Sequence, residues 1–410
     1  MGVRLIIFIT ILILLDLYAF QAIRTFSKNQ WVFWVYVLLS IAVLAYLVYA
    51  FLVYDRSVGP TSGSLQVAGI FLLFFVPKLV LLVFMFGEDI TRVFLGGYNY
   101  LASNNTTEYI PSRRKFVSQL AIGAAAIPFA SLVYGMVKGK YNYKVLTHTL
   151  YFDDLPDAFD GFRVTQISDI HSGSFDAPEK IEYAIDLINE QETDLLVFTG
   201  DIVNTKAEEM DPWISTFKRL KTPEFGKYSI LGNHDYGEYV SWPSEEAKAA
   251  NFKGIKDIHK KIDFTLLLNE NRFIEKEGER LALIGVENWG HNFKQAGDLA
   301  KASEATLQKD FKILLSHDPS HWEYEVKNND HNYHLTLSGH THGFQFGIEI
   351  PGFLKWSPVQ YVYKHWAGVY KEVGRYINVN RGFGFHAYPG RVGIWPEITV
   401  IELKKKRTTT

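Results

Sequence analysis

Between residues 169 and 342 the chain carries five short motifs built from acids, amides and imidazoles. They are Asp169-Ile-His171, Gly200-Asp201, Gly232-Asn233-His234-Asp235, Ser316-His317 and Gly339-His340-Thr341-His342. Oxygen and imidazole donors of this kind hold divalent cations. Asp169 and His171 can turn into one loop and grip one cation. Asp201 follows a glycine that permits a tight turn, so its carboxylate can reach forward and bridge two cations. Asn233 offers a neutral oxygen, and His317, His340 and His342 add imidazoles. Two adjacent cations polarise a phosphoryl group and lower the pKa of a bridging water, which points to hydrolysis of phosphate esters. His234 and Asp235 remain; an imidazole oriented by a carboxylate suits the stabilisation or protonation of a leaving oxygen. A lone histidine is more often a turn or core residue. Here all 13 histidines follow residue 147, and five of them fall in the motifs.

The elements that must position these residues are legible as a repeating pattern. A short apolar or β-branched run ends in a polar motif, and a helix or loop follows. Phe162–Ile167, Leu195–Phe198, Lys227–Leu231, Leu281–Ile284, Phe311–Leu315 and His334–Leu337 read as strands, with helical periodicity over Pro178–Glu190 and Pro212–Leu220. Such alternation predicts an α/β domain with partly parallel strands. All five motifs fall at C-terminal ends of predicted strands, where open α/β sheets place their sites. Val145–Leu150 reads as a lead-in strand and Glu397–Leu403 as a last one. Between them Phe353, Trp356, Tyr361, Tyr363, Trp366 and Tyr370 form an aromatic segment, which fits either a membrane interface or an insertion packed on the core.

Ahead of this domain lie four apolar runs, Val3–Phe20, Trp31–Tyr54, Val67–Phe86 and Phe116–Val137. Each is about as long as the ~20 residues that cross a bilayer as a helix. Asp16 and Lys78 interrupt them; one reading is an interhelical pair lining a polar path, and the favoured expectation is that Asp16 lies near a helix end and that Lys78 snorkels. The basic residues Arg24, Lys28, Arg113, Arg114 and Lys115 fall on one side if all four runs span, which makes that side cytoplasmic and everything after residue 138 extracytoplasmic. Lys138, Lys140 and Lys144 on the other side weaken that bias. Ser112-Arg113-Arg114-Lys115-Phe116-Val117 also resembles a twin-arginine export signal, which predicts the same topology. The expected organisation is a membrane region at 1–140, a catalytic domain at 141–403 and a polar tail at 404–410.

Composition narrows the classes further. The net charge of −2 over 410 residues gives no bulk reason to expect nucleic-acid binding. The absence of cysteine excludes disulfides and thiolate metal sites, so cations must be held by His, Asp and Asn. Nothing in the sequence calls for an obligate protein partner.

Taken together, the five motifs and their order resemble those of calcineurin-like metallophosphoesterases, over about residues 145–402; the preceding helices resemble the membrane-anchored bacterial branch. The resemblance implies a four-layer αββα sandwich. It implies one cation held by Asp169, His171, Asp201 and His342, and a second by Asp201, Asn233, His317 and His340, with Asp201 shared. It also implies His234 near the leaving group, oriented by Asp235. Mn, Fe, Zn or related ions satisfy such a set. One departure is Phe344, where related chains often have glycine after Gly343, which could narrow the mouth of the site.

The expected function is therefore a dinuclear-metal phosphoesterase in the cytoplasmic (inner) membrane, acting on a phosphodiester of a membrane-associated, lipid-linked or envelope substrate. The alternatives are a phosphomonoesterase, a metal-binding sensor or scaffold without turnover, and a transporter with a catalytic appendage. His386, after Arg381-Gly-Phe-Gly, is a weaker candidate for the mouth; His321, His331 and His334 are expected at surface or core positions.

Overall fold

The computed structural model describes residues 2–102, 111–350 and 352–407. The chain divides into two compact units, Met1–Tyr54 with Gln66–Met136, and Asp55–Leu65 with Val137–Thr410.

The first unit is four helices: α1 (Gly2–Phe26), α2 (Gln30–Leu52), α3 (Ser62–Leu101) and α4 (Pro111–Val137). All four are long and apolar enough to cross a membrane. Most of their large side chains face outward, as lipid-facing helices require. The 40 residues of α3 extend it well beyond one hydrocarbon thickness. At its far end Arg114 of α4 pairs with Glu88 (2.9 Å) and Asp89 (2.5 Å).

Lys78 does not snorkel. Its ammonium lies 2.6 Å from Asp16 of α1, and both side chains are buried. Tyr36 and Ser40 of α2 each donate to Asp16 Oδ1 at 2.8 Å. The two charges cost less facing each other than either would facing lipid.

The second unit holds two six-stranded sheets. The first runs β1-β14-β2-β3-β4-β5, with β1 (Lys144–Phe152), β2 (Arg163–Ile167), β3 (Leu195–Phe198), β4 (Lys227–Ser229), β5 (Thr265–Leu266) and β14 (Glu397–Lys405). The second runs β12-β13-β9-β8-β7-β6, with β6 (Glu270–Lys276), β7 (Glu279–Gly285), β8 (Phe311–Leu315), β9 (Leu335–Ser338), β12 (Gly368–Glu372) and β13 (Arg375–Val379). Strands β2 to β5 pair in parallel, as do β7, β8, β9 and β13. A separate hairpin pairs β10 (Ile348–Ile350) with β11 (Leu354–Trp356).

Strand β3 shows why the sheets stack. All four of its residues are apolar and buried; Leu195 and Val197 enter the core between the sheets, and Leu196 and Phe198 enter the core beneath the helices. A strand covered on both faces reads as one continuous apolar run. On the outer side of the first sheet lie α5 (Pro178–Asn189), the one-turn α6 (Ile214–Phe217) and α7 (Glu245–Lys261), through Ile181, Ile185, Phe217, Ile255 and Ile258. Trp322 and Val326 cover the second sheet from a helical turn. The layers are helix, sheet, sheet and helical turns, the four-layer arrangement that the motifs imply.

Two local expectations are corrected. The helical pattern at Pro212–Leu220 gives only α6, because Ala207–Trp213 tightens into a 3-10 turn around Pro212. The last strand runs through Lys405, so 404–405 are sheet rather than tail, paired with Tyr151 and Phe152; residues 408–410 lie outside the described residues.

Candidate metal centre

Each sequence motif sits just past the C-terminal end of a parallel strand: Asp169 and His171 after β2, Asp201 after β3, Asn233 and His234 after β4, His317 after β8, and His340 and His342 after β9. These ends lie at one edge of the two stacked sheets. The backbone turns sharply there. Asp169, His171, Asp201, His340 and His342 all have positive φ, between 47° and 71°. Non-glycine residues pay roughly 1–3 kcal/mol each for such a conformation, and it clusters at functional sites. The neighbouring glycines leave room for the acids. A Cβ on Gly232 would come within 2.2 Å of Asp201 Oδ1, and one on Gly339 within 2.2 Å of Asp169 Oδ2.

The nine residues singled out by sequence come together, and seven of them form two sets of donors. Ligand atoms of Asp169, His171 and His342 lie within 4.8 Å of one another, as do those of Asp201, His317 and His340. Asp201 Oδ2 stands between the sets, 3.1 Å from His317 Nε2 and 3.6 Å from His171 Nε2. Asn233 Oδ1 lies 3.2 Å from His317 Nε2 and 2.7 Å from His340 Nδ1. His342 Nε2 is 3.3 Å from Asp169 Oδ1, and it is a buried nitrogen with no hydrogen-bond partner among the described residues.

Outward-facing atoms hold these side chains in place. His317 Nδ1 donates to the Thr199 carbonyl (2.7 Å), which turns its Nε2 lone pair inward. His171 Nδ1 lies 3.1 Å from Asn204 Oδ1. Asp169 accepts from the His340 N–H (2.9 Å), and Asp201 from the His234 N–H (2.8 Å).

The protonation states suit cations. Burial works against the Asp169 and Asp201 carboxylates, but the surrounding imidazoles hold both below the usual range. Burial lowers His171 and His340, keeping them neutral. His317 is the exception: burial lowers it, yet Asp201 outweighs that and pushes it up to about 10. A cation between the two would displace that proton, as metal binding generally does. Anionic oxygens, converging imidazoles and one amide oxygen fit divalent metal ions.

Asp235 is corrected. It does not orient His234. Its carboxylate accepts three backbone N–H bonds, from Asp201 (3.0 Å), Ile202 (2.9 Å) and Gly232 (2.8 Å), and so pins the Asp201 loop to the Asn233 loop. His234 Nδ1 donates instead to the Asn204 carbonyl at 2.7 Å.

Asn204 is the residue that sequence reasoning missed. It meets three imidazoles: His234 through its carbonyl, and His171 and His386 (3.2 Å) through its side-chain oxygen. Its place three residues after Asp201 was the available signal. His386 stacks on His171 at 4.8 Å and faces His234 at 4.5 Å, so it does line the site. Tyr363 OH bonds His340 Nε2 at 2.8 Å, and Tyr239 OH accepts from Asn233 at 2.7 Å. His321, His331 and His334 bond Ser316, Thr306 and Asp154 away from the metal donors.

Residues 162–344 match the family model for calcineurin-like phosphoesterases, and residues 3–140 match that for the probable transmembrane domain of such enzymes. A Bacillus subtilis (strain 168) protein described as the uncharacterized metallophosphoesterase YkuE is 33% identical over 299 residues, covering 72% of this chain and 98% of its own. The chain belongs to the calcineurin-like metallophosphoesterases. It is a membrane protein with four spanning helices and a metal-dependent phosphoesterase domain. An uncharacterized metallophosphoesterase of Helicobacter pylori (strain ATCC 700392 / 26695) is 24% identical and covers 97% of this chain and 98% of its own. A Danio rerio transmembrane protein with a metallophosphoesterase domain is 26% identical over 67% of this chain; the chain spans 60% of that longer relative.

Proposed function

We propose that this phosphoesterase uses two cations, one held by Asp169, His171, Asp201 and His342 and the other by Asp201, Asn233, His317 and His340. The observation that carries this reading is the position of Asp201 Oδ2 between His317 Nε2 (3.1 Å) and His171 Nε2 (3.6 Å). Bound divalent ions would supply Lewis acidity and an activated water. The chain's own part is to hold the donors rigidly and to manage a proton. With Nδ1 donating to the Asn204 carbonyl, His234 would act as acid only after its Nε2 takes up a proton released in the reaction, because burial holds the ring below the usual imidazole range; that proton would then pass to the leaving oxygen. Asp235 supports the loops through its three backbone hydrogen bonds.

The reading favours a phosphodiester of a membrane-resident or envelope molecule, with the domain on the outer face of the cytoplasmic membrane. Anchoring favours a substrate at the bilayer, and the basic residues at Arg24, Lys28 and Arg113–Lys115 favour that orientation. The α2–α3 connection fits an even number of crossings: the Arg56 carbonyl accepts from Ser241 N–H in the catalytic unit (3.1 Å). Arg114 has a structural occupation in its ion pairs with Glu88 and Asp89, which competes with a role for Arg113-Arg114 as an export signal. The Arg113→Lys/Arg114→Lys variant separates the two: normal delivery of the domain to the outer face removes the signal reading.

The deciding measurement is the rate of the Mn-loaded full-length protein on bis-aryl against mono-aryl phosphate. Faster diester hydrolysis is expected. Faster monoester hydrolysis favours the phosphomonoesterase reading, and turnover of neither favours a sensor or scaffold.

A further inference from the structure

The β10–β11 hairpin is amphipathic with its polar side turned inward. Its opposed pairs are Ile348 with Trp356, Glu349 with Lys355, and Ile350 with Leu354. Directly opposed residues share a face of the ribbon. Glu349 bonds buried Arg381 at 2.6 Å, and Lys355 donates to the Ala367 carbonyl. The charged face is therefore spent on the domain. The apolar face is left outside: Ile348 and Ile350 are each 48% exposed and Leu354 is 40%. Phe353 beside the turn is 83% exposed, and Phe344, Tyr361 and Val362 extend the patch. A contiguous exposed apolar patch marks an interaction surface.

Both roots of this segment lie in the metal centre. It leaves directly after His342, and it returns at Tyr363, whose hydroxyl bonds His340 Nε2. The aromatic run splits accordingly: Trp366 is buried, whereas Phe353 and Tyr361 are exposed.

We propose that residues 344–350 and 352–362 form an interfacial docking surface that seats in the headgroup region of the bilayer and guides a lipid-borne phosphoester to the site. This rests on the phosphoesterase reading above. A bilayer is the occupant the chain itself supplies. Helix α4 ends at Val137 and β1 begins at Lys144, so at most about 25 Å of extended chain joins the last apolar helix to the first strand. Isoleucine, leucine, phenylalanine and tyrosine are the side chains that enter the headgroup–acyl boundary.

The chain has no cysteine, so Phe353→Cys carries the sole thiol. Full-length protein labelled there with bimane and reconstituted in phosphatidylcholine–phosphatidylglycerol vesicles should be quenched by shallow spin-labelled lipid. A Val373→Cys label should not be. An unquenched Phe353 label overturns the proposal; one shielded from both lipid quencher and aqueous iodide assigns the patch to a protein surface, a second copy included, and overturns it equally. For delivery, the Ile350→Asp/Phe353→Asp variant should lose about tenfold on vesicle-embedded hexadecyl p-nitrophenyl phosphate. Its rate on soluble bis(p-nitrophenyl) phosphate should stay within about twofold of the parent's. Equal losses, or none, overturn the delivery role. Should the parent hydrolyse neither ester, the phosphoesterase reading fails while the quenching result still judges docking alone.

Discussion

In the membrane unit Asp16 meets Lys78 at 2.6 Å, and Tyr36 and Ser40 complete the shell of the carboxylate. In the catalytic unit Asp169 and Asp201 are also buried, yet they face imidazoles rather than a lysine or arginine, and His342 Nε2 faces them with no hydrogen bond among the described residues. The first cluster closes on itself, charge against opposite charge. The second fixes each side chain from behind, through Thr199, Asn204 and backbone N–H groups, and leaves its donor atoms converging. Burial alone does not separate a structural polar cluster from a ligand-binding one. What separates them is whether the inward-facing groups are one pair of opposite charges or several converging donor atoms of the kind that ligate cations.

The largest test of that contrast is Asp201→Asn, which removes the anionic oxygen standing between the two donor sets. Activity should be lost and metal content should fall in elemental analysis of folded protein; full activity with both ions retained would remove Asp201 from its bridging role. Stripping the ions with a chelator should likewise abolish turnover, and Mn should restore it. Undiminished hydrolysis by stripped protein contradicts the mechanism. Next comes His234→Asn, with kcat lowered about 10²- to 10⁴-fold and metal content unchanged. The loss should be greater for an alkyl than for an aryl leaving group, and an equal loss would make the role electrostatic rather than proton transfer. Asn204→Ala should cost about 10- to 100-fold in metal affinity or rate, the usual effect of freeing ligands from behind. An unaltered metal titration and rate would show that the three imidazoles do not depend on it. Smallest for turnover is Lys78→Met. It leaves Asp16 buried and unpaired, at a cost of roughly 3–5 kcal/mol in stability, while Asp16→Leu/Lys78→Met should recover most of that. Thermal unfolding in detergent reads it, and a large fall in kcat on soluble ester would break the separation between the two clusters.

How much of this was legible in sequence depended on whether a residue acts locally. Strand β3 was readable to the residue, because burial on both faces forces four apolar side chains in a row. The candidate metal donors were readable because each follows the end of a strand that its motif marks, even where the strand is as short and polar as Lys227–Ser229. Strands β5, β6, β10, β11 and β12 were not, since short or half-exposed edge strands carry weak patterning; β6 reads Glu-Asn-Arg-Phe-Ile-Glu-Lys. Asn204 escaped because its work is to join loops from three distant segments. Asp235 was misread because adjacency to His234 suggested a partnership, whereas the 3-10 turn at Asn233–Tyr236 directs its carboxylate into the backbone. The Asp16–Lys78 pair spans 62 positions in two separate helices, a distance that no local pattern bridges.

Strand β14 lies between β1 and β2 in the first sheet, parallel to one and antiparallel to the other. During synthesis the helices and both of those strands are made long before residues 397–405 exist. Until that segment arrives, the sheet bearing Asp169 and Asp201 has a gap where its second strand belongs. All four helices are therefore synthesised before the first sheet can close around its second strand.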